Sequence, residues 1–190
     1  MAAARHRQSI VDAAVRLFRQ RGYAATGLND LVKESGAPKG SLYHYFPEGK
    51  PAIAAAAVEE AGLRVLRTFE EVAARTTTTA ELVVEHAHLL AGWMQASGFR
   101  DGCPITTILL ELAPEDEKVA EAGRNAFAGR LALLRDRLIK DGYDAVSAEN
   151  LALVCTNAVQ GSLVMARIES SCAPIERTAA QLARMLESKA

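Results

Sequence analysis

Residues 26–50 read TGLNDLVKESGAPKGSLYHYFPEGK. Leu28, Leu31 and Val32 mark a short helix, begun by Thr26 or Gly27 at its cap and broken by Ser35-Gly36. Pro38 suits the first turn of another helix, where its missing N–H is harmless, and Pro47-Glu48-Gly49 ends that helix after Phe46. Two short helices joined by a tight turn form a helix-turn-helix. On the second helix Leu42 and Phe46 are the inward anchors, while Lys39, Gly40, Ser41, Tyr43 and His44 make a small, polar face that a wholly buried helix would not carry. Gly40 lowers helix propensity by about 1 kcal/mol relative to Ala, which makes sense where the backbone approaches another surface closely. A major groove admits one helix and is flanked by phosphates. Tyr43 and Lys50 therefore suit phosphate contacts, and Lys39, Ser41 and His44 suit base edges. Asn29 is a further candidate, and backbone N–H groups at the helix start near Thr26 and Gly27 favour a phosphate.

The charge distribution agrees with a polyanion at one end. The whole chain of 190 residues carries a formal charge of -1. Residues 1–50 hold eight Lys/Arg and four acids, a balance of +4, which leaves 14 basic and 19 acidic residues in the remainder, a balance of -5. Arg5 and Arg7 suit either a solvated tail or a basic arm reaching a minor groove or phosphate. With 49% apolar residues and 24% charged, the chain can bury a core and is neither a disordered polyelectrolyte nor a wholly basic coat protein. No apolar run approaches the roughly 18 residues of a membrane helix, and no secretory signal is evident, so a cytoplasmic protein without a membrane partner is expected. Cys103, Cys155 and Cys172 form no CxxC pair and the four histidines sit apart, so neither a disulfide framework nor a metal site is expected.

Helical periodicity continues on both sides of the opening segment. Ile10, Ala14, Leu17 and Phe18 outline a helix stopped by Gly22. Ile53, Ala57, Leu63, Leu66, Phe69 and Val72 outline another over about 50–75. Thr78 with Glu81 predicts a capping box for a helix whose inward stripe is Leu82, His86, Leu89, Leu90 and Trp93. Pro104 opens a short helix, and Pro114 followed by Glu115, Asp116 and Glu117 opens a long one. Ser147 is the expected cap of a helix apolar on nearly all sides from Leu151 to Ile168, and Pro174 opens the last. The fold class is all-α, with about nine helices: a three-helix head over residues 1–50 and a larger helical bundle over 51–190.

The stretch LVKESGAPKGSLYHYFPEGK, behind a helix ending RGYAATGL, resembles the DNA-binding head of the TetR family of bacterial repressors. The order of Gly36, Ser41-Leu42-Tyr43, Phe46 and Lys50 carries the likeness. In the body, Gly102-Cys103-Pro104, Glu111-Leu112-Ala113, Phe127, Gly161-Ser162-Leu163 and Ala166-Arg167 are similar to the subgroup of lincomycin- and flavonoid-responsive repressors. The resemblance implies a homodimer on double-stranded palindromic operator DNA. It also implies an interface built from the last two long helices, and a body pocket for a small organic effector that alters the separation of the heads. Departures are Gly27 where Thr or Ser is common, Pro51 where Glu is usual, Gln160 where the subgroup often has Glu, and a link at Pro47-Glu48-Gly49 one residue longer than in many members.

The expected pocket for a lipophilic or aromatic effector comprises Leu66, Phe69, His86, Leu90, Trp93, Met94, Cys103, Leu109, Phe127 and Asn157. The expected interface comprises Leu151, Val154, Ala158, Gly161, Ser162, Leu182 and Leu186. Independently of any family, a helix apolar on both faces must bury both, and Gly161 and Ser162 permit close helix approach. No cofactor is expected. Two other readings exist: a regulator that senses redox state through Cys103, and an enzyme using the body cavity, for which Cys103 with His86 or His88 is the candidate nucleophile–base pair.

Overall fold

A computed structural model describes residues 2–188, the side chains from Arg5 onward. Among these residues there are nine α-helices and no strand: α1 (Ala2–Arg21), α2 (Leu28–Ser35), α3 (Lys39–Tyr45), α4 (Lys50–Ala73), α5 (Thr79–Ala96), α6 (Thr106–Leu112), α7 (Glu117–Lys140), α8 (Ala145–Glu169) and α9 (Ala173–Glu187). The all-α class and the number of helices agree with the sequence reading. The described residues form two compact units, the first of residues 2–64 and 103–127, the second of 65–102 and 128–188. Compactness thus divides the chain differently from the functional split at residue 50, because 51–64 and 103–127 pack with the head.

In the first unit α1 packs on α2, α3 and α6. Its stripe Ile10, Ala14 and Phe18 is fully buried, as are Leu31 of α2, Ile53 and Val58 of α4 and Ile108 of α6. Leu42 and Phe46, the expected anchors of α3, are buried too. Gly22 ends α1 at φ +82°, a left-handed conformation that costs any other residue more. Gly123 of α7 lets α6 come close: a Cβ there would stand 2.6 Å from a methyl of Leu109.

In the second unit α5 packs on α9 and α8, and α8 on α9. Their core includes Leu82, Val83, Met94, Leu138, Ala152, Cys155, Ile175, Leu182 and Leu186. The capping box at α5 forms as the sequence predicts: Thr78 accepts from the Glu81 N–H, and Glu81 accepts from the N–H of Thr77 at 2.7 Å and of Thr78 at 3.3 Å. Arg137 ties the turn before α5 by donating to the carbonyls of Ala73, Thr76 and Thr78. Asp141 accepts from the Thr79 N–H at 2.7 Å, and the Tyr143 hydroxyl donates to the Leu186 carbonyl at 2.9 Å.

Several features differ from expectation. Asp144, not Ser147, caps α8, accepting from the N–H groups of Val146 and Ser147 at 3.0 Å each. Aspartate satisfies two orphan donors there, which moves the helix start three residues earlier. Residues Arg5 and Arg7, read as tail or arm, lie inside α1, with the Arg7 guanidinium 5.5 Å from the centre of the Phe46 ring. And α8 is long and apolar enough, by length and composition alone, to cross a membrane: an 18-residue window averages a hydropathy of 1.4, with 39% of it buried. Counting unbroken apolar runs missed this, because Thr156, Asn157, Gln160 and Ser162 interrupt the run without offsetting its mean.

Candidate nucleic-acid interface

The α3 side chains divide as the pattern predicts. Leu42 is buried, and Lys39, Gly40, Tyr43 and His44 are exposed, with Ser41 half-buried beside them. Half of the Tyr43 surface is open to solvent. The His44 ring rests edge-on against Tyr45, centroids 4.8 Å apart. Asn29 is exposed early in α2. Lys39, Gly40, Ser41, Tyr43 and His44 belong to α3 and Asn29 to α2, and their side chains offer hydrogen-bond donors, a cation and an aromatic hydroxyl.

The start of α2 differs from the expected phosphate site. Thr26 has 0% exposure, and its hydroxyl donates inward to the Gly22 carbonyl at 2.8 Å. The Gly27 N–H donates to the Asp30 carboxylate at 2.9 Å. Thr26 is therefore a structural residue, and Asp30 already brings a negative charge to the helix N-terminus that a phosphate would have to share. Lys50, the first residue of α4, holds its Nζ 4.0 Å from the centre of the Tyr23 ring. Burial pushes its pKa down, opposed by the charge of Glu111. Tyr23 as its seat was not legible, since α2 and α3 lie between the two residues in the chain and the pairing leaves no periodic trace.

The body residues fall into both units. Cys103, Leu109 and Phe127 belong to the first. Leu66, Phe69, His86, Leu90, Trp93, Met94 and Asn157 belong to the second. Phe69, His86 and Met94 are buried and Leu66 and Leu90 half-buried. Leu66 packs on Gly129, where a Cβ would stand 2.9 Å from it. The His86 ring meets Phe69 edge-on at 4.8 Å. Burial, and then the charge of Arg130, push the His86 pKa down to about 4, so the imidazole is neutral at pH 7. His88 lies on the outer face of α5 beside Glu85, 3.7 Å away. Trp93 and Asn157 are corrections: both are exposed. Trp93 lies outside the buried stripe of α5, and Asn157 shares the outer face of α8 with Leu153, Val154, Gly161 and Val164.

The expected interface residues also separate. Val154 and Gly161 are exposed and Leu151 and Ala158 half-buried. Leu182 and Leu186 are buried in the subunit's own core at 5% and 6% exposure, and Ser162 at 4%. These three are corrected to internal packing residues. Amphipathicity identified a buried face of α9, and that face is turned on α5 and α8. Four residues of the exposed α8 face were not among the expected interface residues: Leu153, Met165, Val164 at 59% exposure and Ile168 at 70%.

An all-helical chain with an open, polar second helix in a helix-turn-helix is a DNA-binding protein of the helix-turn-helix class. Residues 10–57 match the family model of bacterial regulatory proteins, tetR family, and residues 79–181 match that of the C-terminal domain of LmrA/YxaF-like transcriptional regulators. The chain is 31% identical over 185 residues to an uncharacterised HTH-type transcriptional regulator of Mycobacterium tuberculosis, covering 95% of this chain and 93% of that protein. It is 29% identical over 169 residues to the HTH-type transcriptional regulator LmrA of Bacillus subtilis, covering 89% and 90%. The crystal structure of regulatory protein TetR from Rhodobacter sphaeroides superposes with a TM-score of 0.82 at 19% identity, covering 93% of this chain and 96% of that one. The chain belongs to the TetR family of transcriptional regulators, with a body of the LmrA/YxaF type.

Proposed function

We propose that the protein is a homodimeric repressor that binds palindromic operator DNA and is released by a small lipophilic or aromatic effector. The observation that carries the DNA-binding half of this reading is the exposure of Lys39, Gly40, Tyr43 and His44 on α3 while Leu42 beneath them is buried. Lys39, Ser41 and His44 read base edges, and Tyr43 and Asn29 position the helix on phosphates. Lys50 supplies positive charge from the start of α4.

Dimerisation is supported by the exposed apolar stripe of α8. Leu153, Val154, Gly161, Val164, Met165 and Ile168 recur at helical spacing along it. A patch of that length on a lone subunit calls for a partner, and a second copy is the partner a twofold interface provides. In such a dimer the two recognition helices would lie about 34 Å apart, one turn of duplex. That spacing demands half-sites related by a palindrome.

Effector binding is supported by the apolar residues Phe69, Leu90 and Met94 and by a buried, neutral His86 whose ring meets Phe69, a group able to hydrogen-bond a bound molecule without a net charge. The effector must favour a state that fits DNA poorly, and by linkage operator DNA weakens effector binding equally. Purified protein should prefer its own promoter region over random duplex in a salt-dependent manner. Aromatic compounds that raise its melting point with concentration should release that DNA. Equal affinity for both duplexes would overturn the reading.

A further inference from the structure

Glu111 is the one acid of α6, and its two carboxylate oxygens are both engaged by the α1–α2 turn. Oε1 accepts from the Tyr23 N–H at 2.6 Å and Oε2 from the Ala24 N–H at 2.7 Å. These are neighbouring amides of the turn that Gly22 opens. A Cβ at Gly22 would stand 2.5 Å from Oε1, so the close seat of the carboxylate depends on glycine there. The turn leads directly into Thr26, whose hydroxyl closes it onto the Gly22 carbonyl, and into Gly27, the cap of α2. On its other side Tyr23 carries the Lys50 ammonium on its ring. Glu111 also acts electrostatically on Tyr23 and Lys50. One carboxylate therefore holds the turn that leads into α2, the first helix of the helix-turn-helix, and the aromatic seat of the residue that begins α4. The segment 103–127 grips the head a second time through Lys118, which pairs with Glu48 in the link between α3 and α4.

We propose that Glu111 is a positioning residue for DNA recognition. It touches no DNA, and it aims the helix-turn-helix by clasping the amides of Tyr23 and Ala24 from α6. The proposal rests on the DNA-binding reading of α3. Charge-assisted hydrogen bonds from two adjacent amides to one carboxylate are stronger than neutral ones, and the pair fixes direction as well as distance. A turn held in this way presents α2, and α3 behind it, in one orientation.

The test uses the full-length protein with E111A and E111Q. Amide hydrogen exchange at Tyr23 and Ala24 reads the clasp, and titration of the duplex upstream of the protein's own gene, at several salt concentrations beside a random duplex, reads the aim. In E111A exchange at both amides should quicken by about tenfold or more. Affinity for the upstream duplex should fall about tenfold, the scale of one misplaced base contact, with the salt slope unchanged because no phosphate contact is lost. E111Q keeps one acceptor oxygen, so it should fall between the two and guards against misfolding of E111A. Faster exchange in both variants with unchanged affinity for the upstream duplex would overturn the positioning role and leave Glu111 as a structural tie. Unchanged exchange would overturn the clasp itself. A wild-type protein without preference for the upstream duplex would overturn the DNA-binding reading, and the positioning role with it.

Discussion

Tyr43 and Lys39 occupy the same exposed face of α3, and the proposed DNA-binding reading gives them different tasks. A tyrosine hydroxyl that positions the helix on phosphates serves every sequence alike. Tyr43→Ala should therefore weaken binding to promoter and random duplex by the same factor in fluorescence anisotropy titrations. Lys39→Ala should cost about 1–3 kcal/mol on the promoter duplex and much less on random DNA, relaxing sequence preference. His86 makes a prediction of a different kind. Its folded pKa of about 4 lies below the ordinary value of 6.5. Between those values the unfolded chain takes up a proton that the folded chain refuses, so stability falls as pH drops through the window. The loss reaches about 3 kcal/mol at its acid end. Urea midpoints at pH 7 and pH 4.5 should differ by less in His86→Leu than in the wild type. At this scale the sequence was informative where a residue broke its local rule: Gly40 in a helix, polar residues on one face of α3, a histidine on an apolar stripe. It placed Tyr23 and Glu111 in family-like stretches and gave neither a partner, because those partners stand 27 and 88 residues distant along the chain.

Helices are legible in proportion to how local their determinants are. The caps of α2 and α5 and the stops at Gly22 and Gly36 follow from residues within one turn, and periodicity gives the buried face of α1. The start of α8 was misplaced because Asp144 and Ser147 are both good caps, and the backbone chose the one that satisfies two donors. The role of α9 was misread for a deeper reason. A hydrophobic stripe states that a face is buried and does not state against what. The capping box of α5 is a direct check on element energetics. Thr78→Ala should lower stability by about 1 kcal/mol, seen as a fall in the thermal midpoint with DNA affinity per folded molecule unchanged.

For the whole molecule, the exposed stripe of α8 and the buried stripe of α9 should separate assembly from folding. Val164→Arg, on the exposed stripe of α8, should leave the helical content intact and shift sedimentation from dimer toward monomer. Leu182→Ala, inside the subunit, should cost about 2–5 kcal/mol of stability and leave the association of the remaining folded protein unchanged. The division of the chain at residue 50 was drawn from charge and function, and such a reading has no access to the return of residues 103–127 to the head. That return limits modular engineering. A chimera spliced at residue 50, carrying a foreign recognition segment on this body, would confront Glu111 and Lys118 with a turn and a link they did not evolve to hold. A faithful transplant would take 103–127 along with the first 64 residues, as one graft in two pieces of chain.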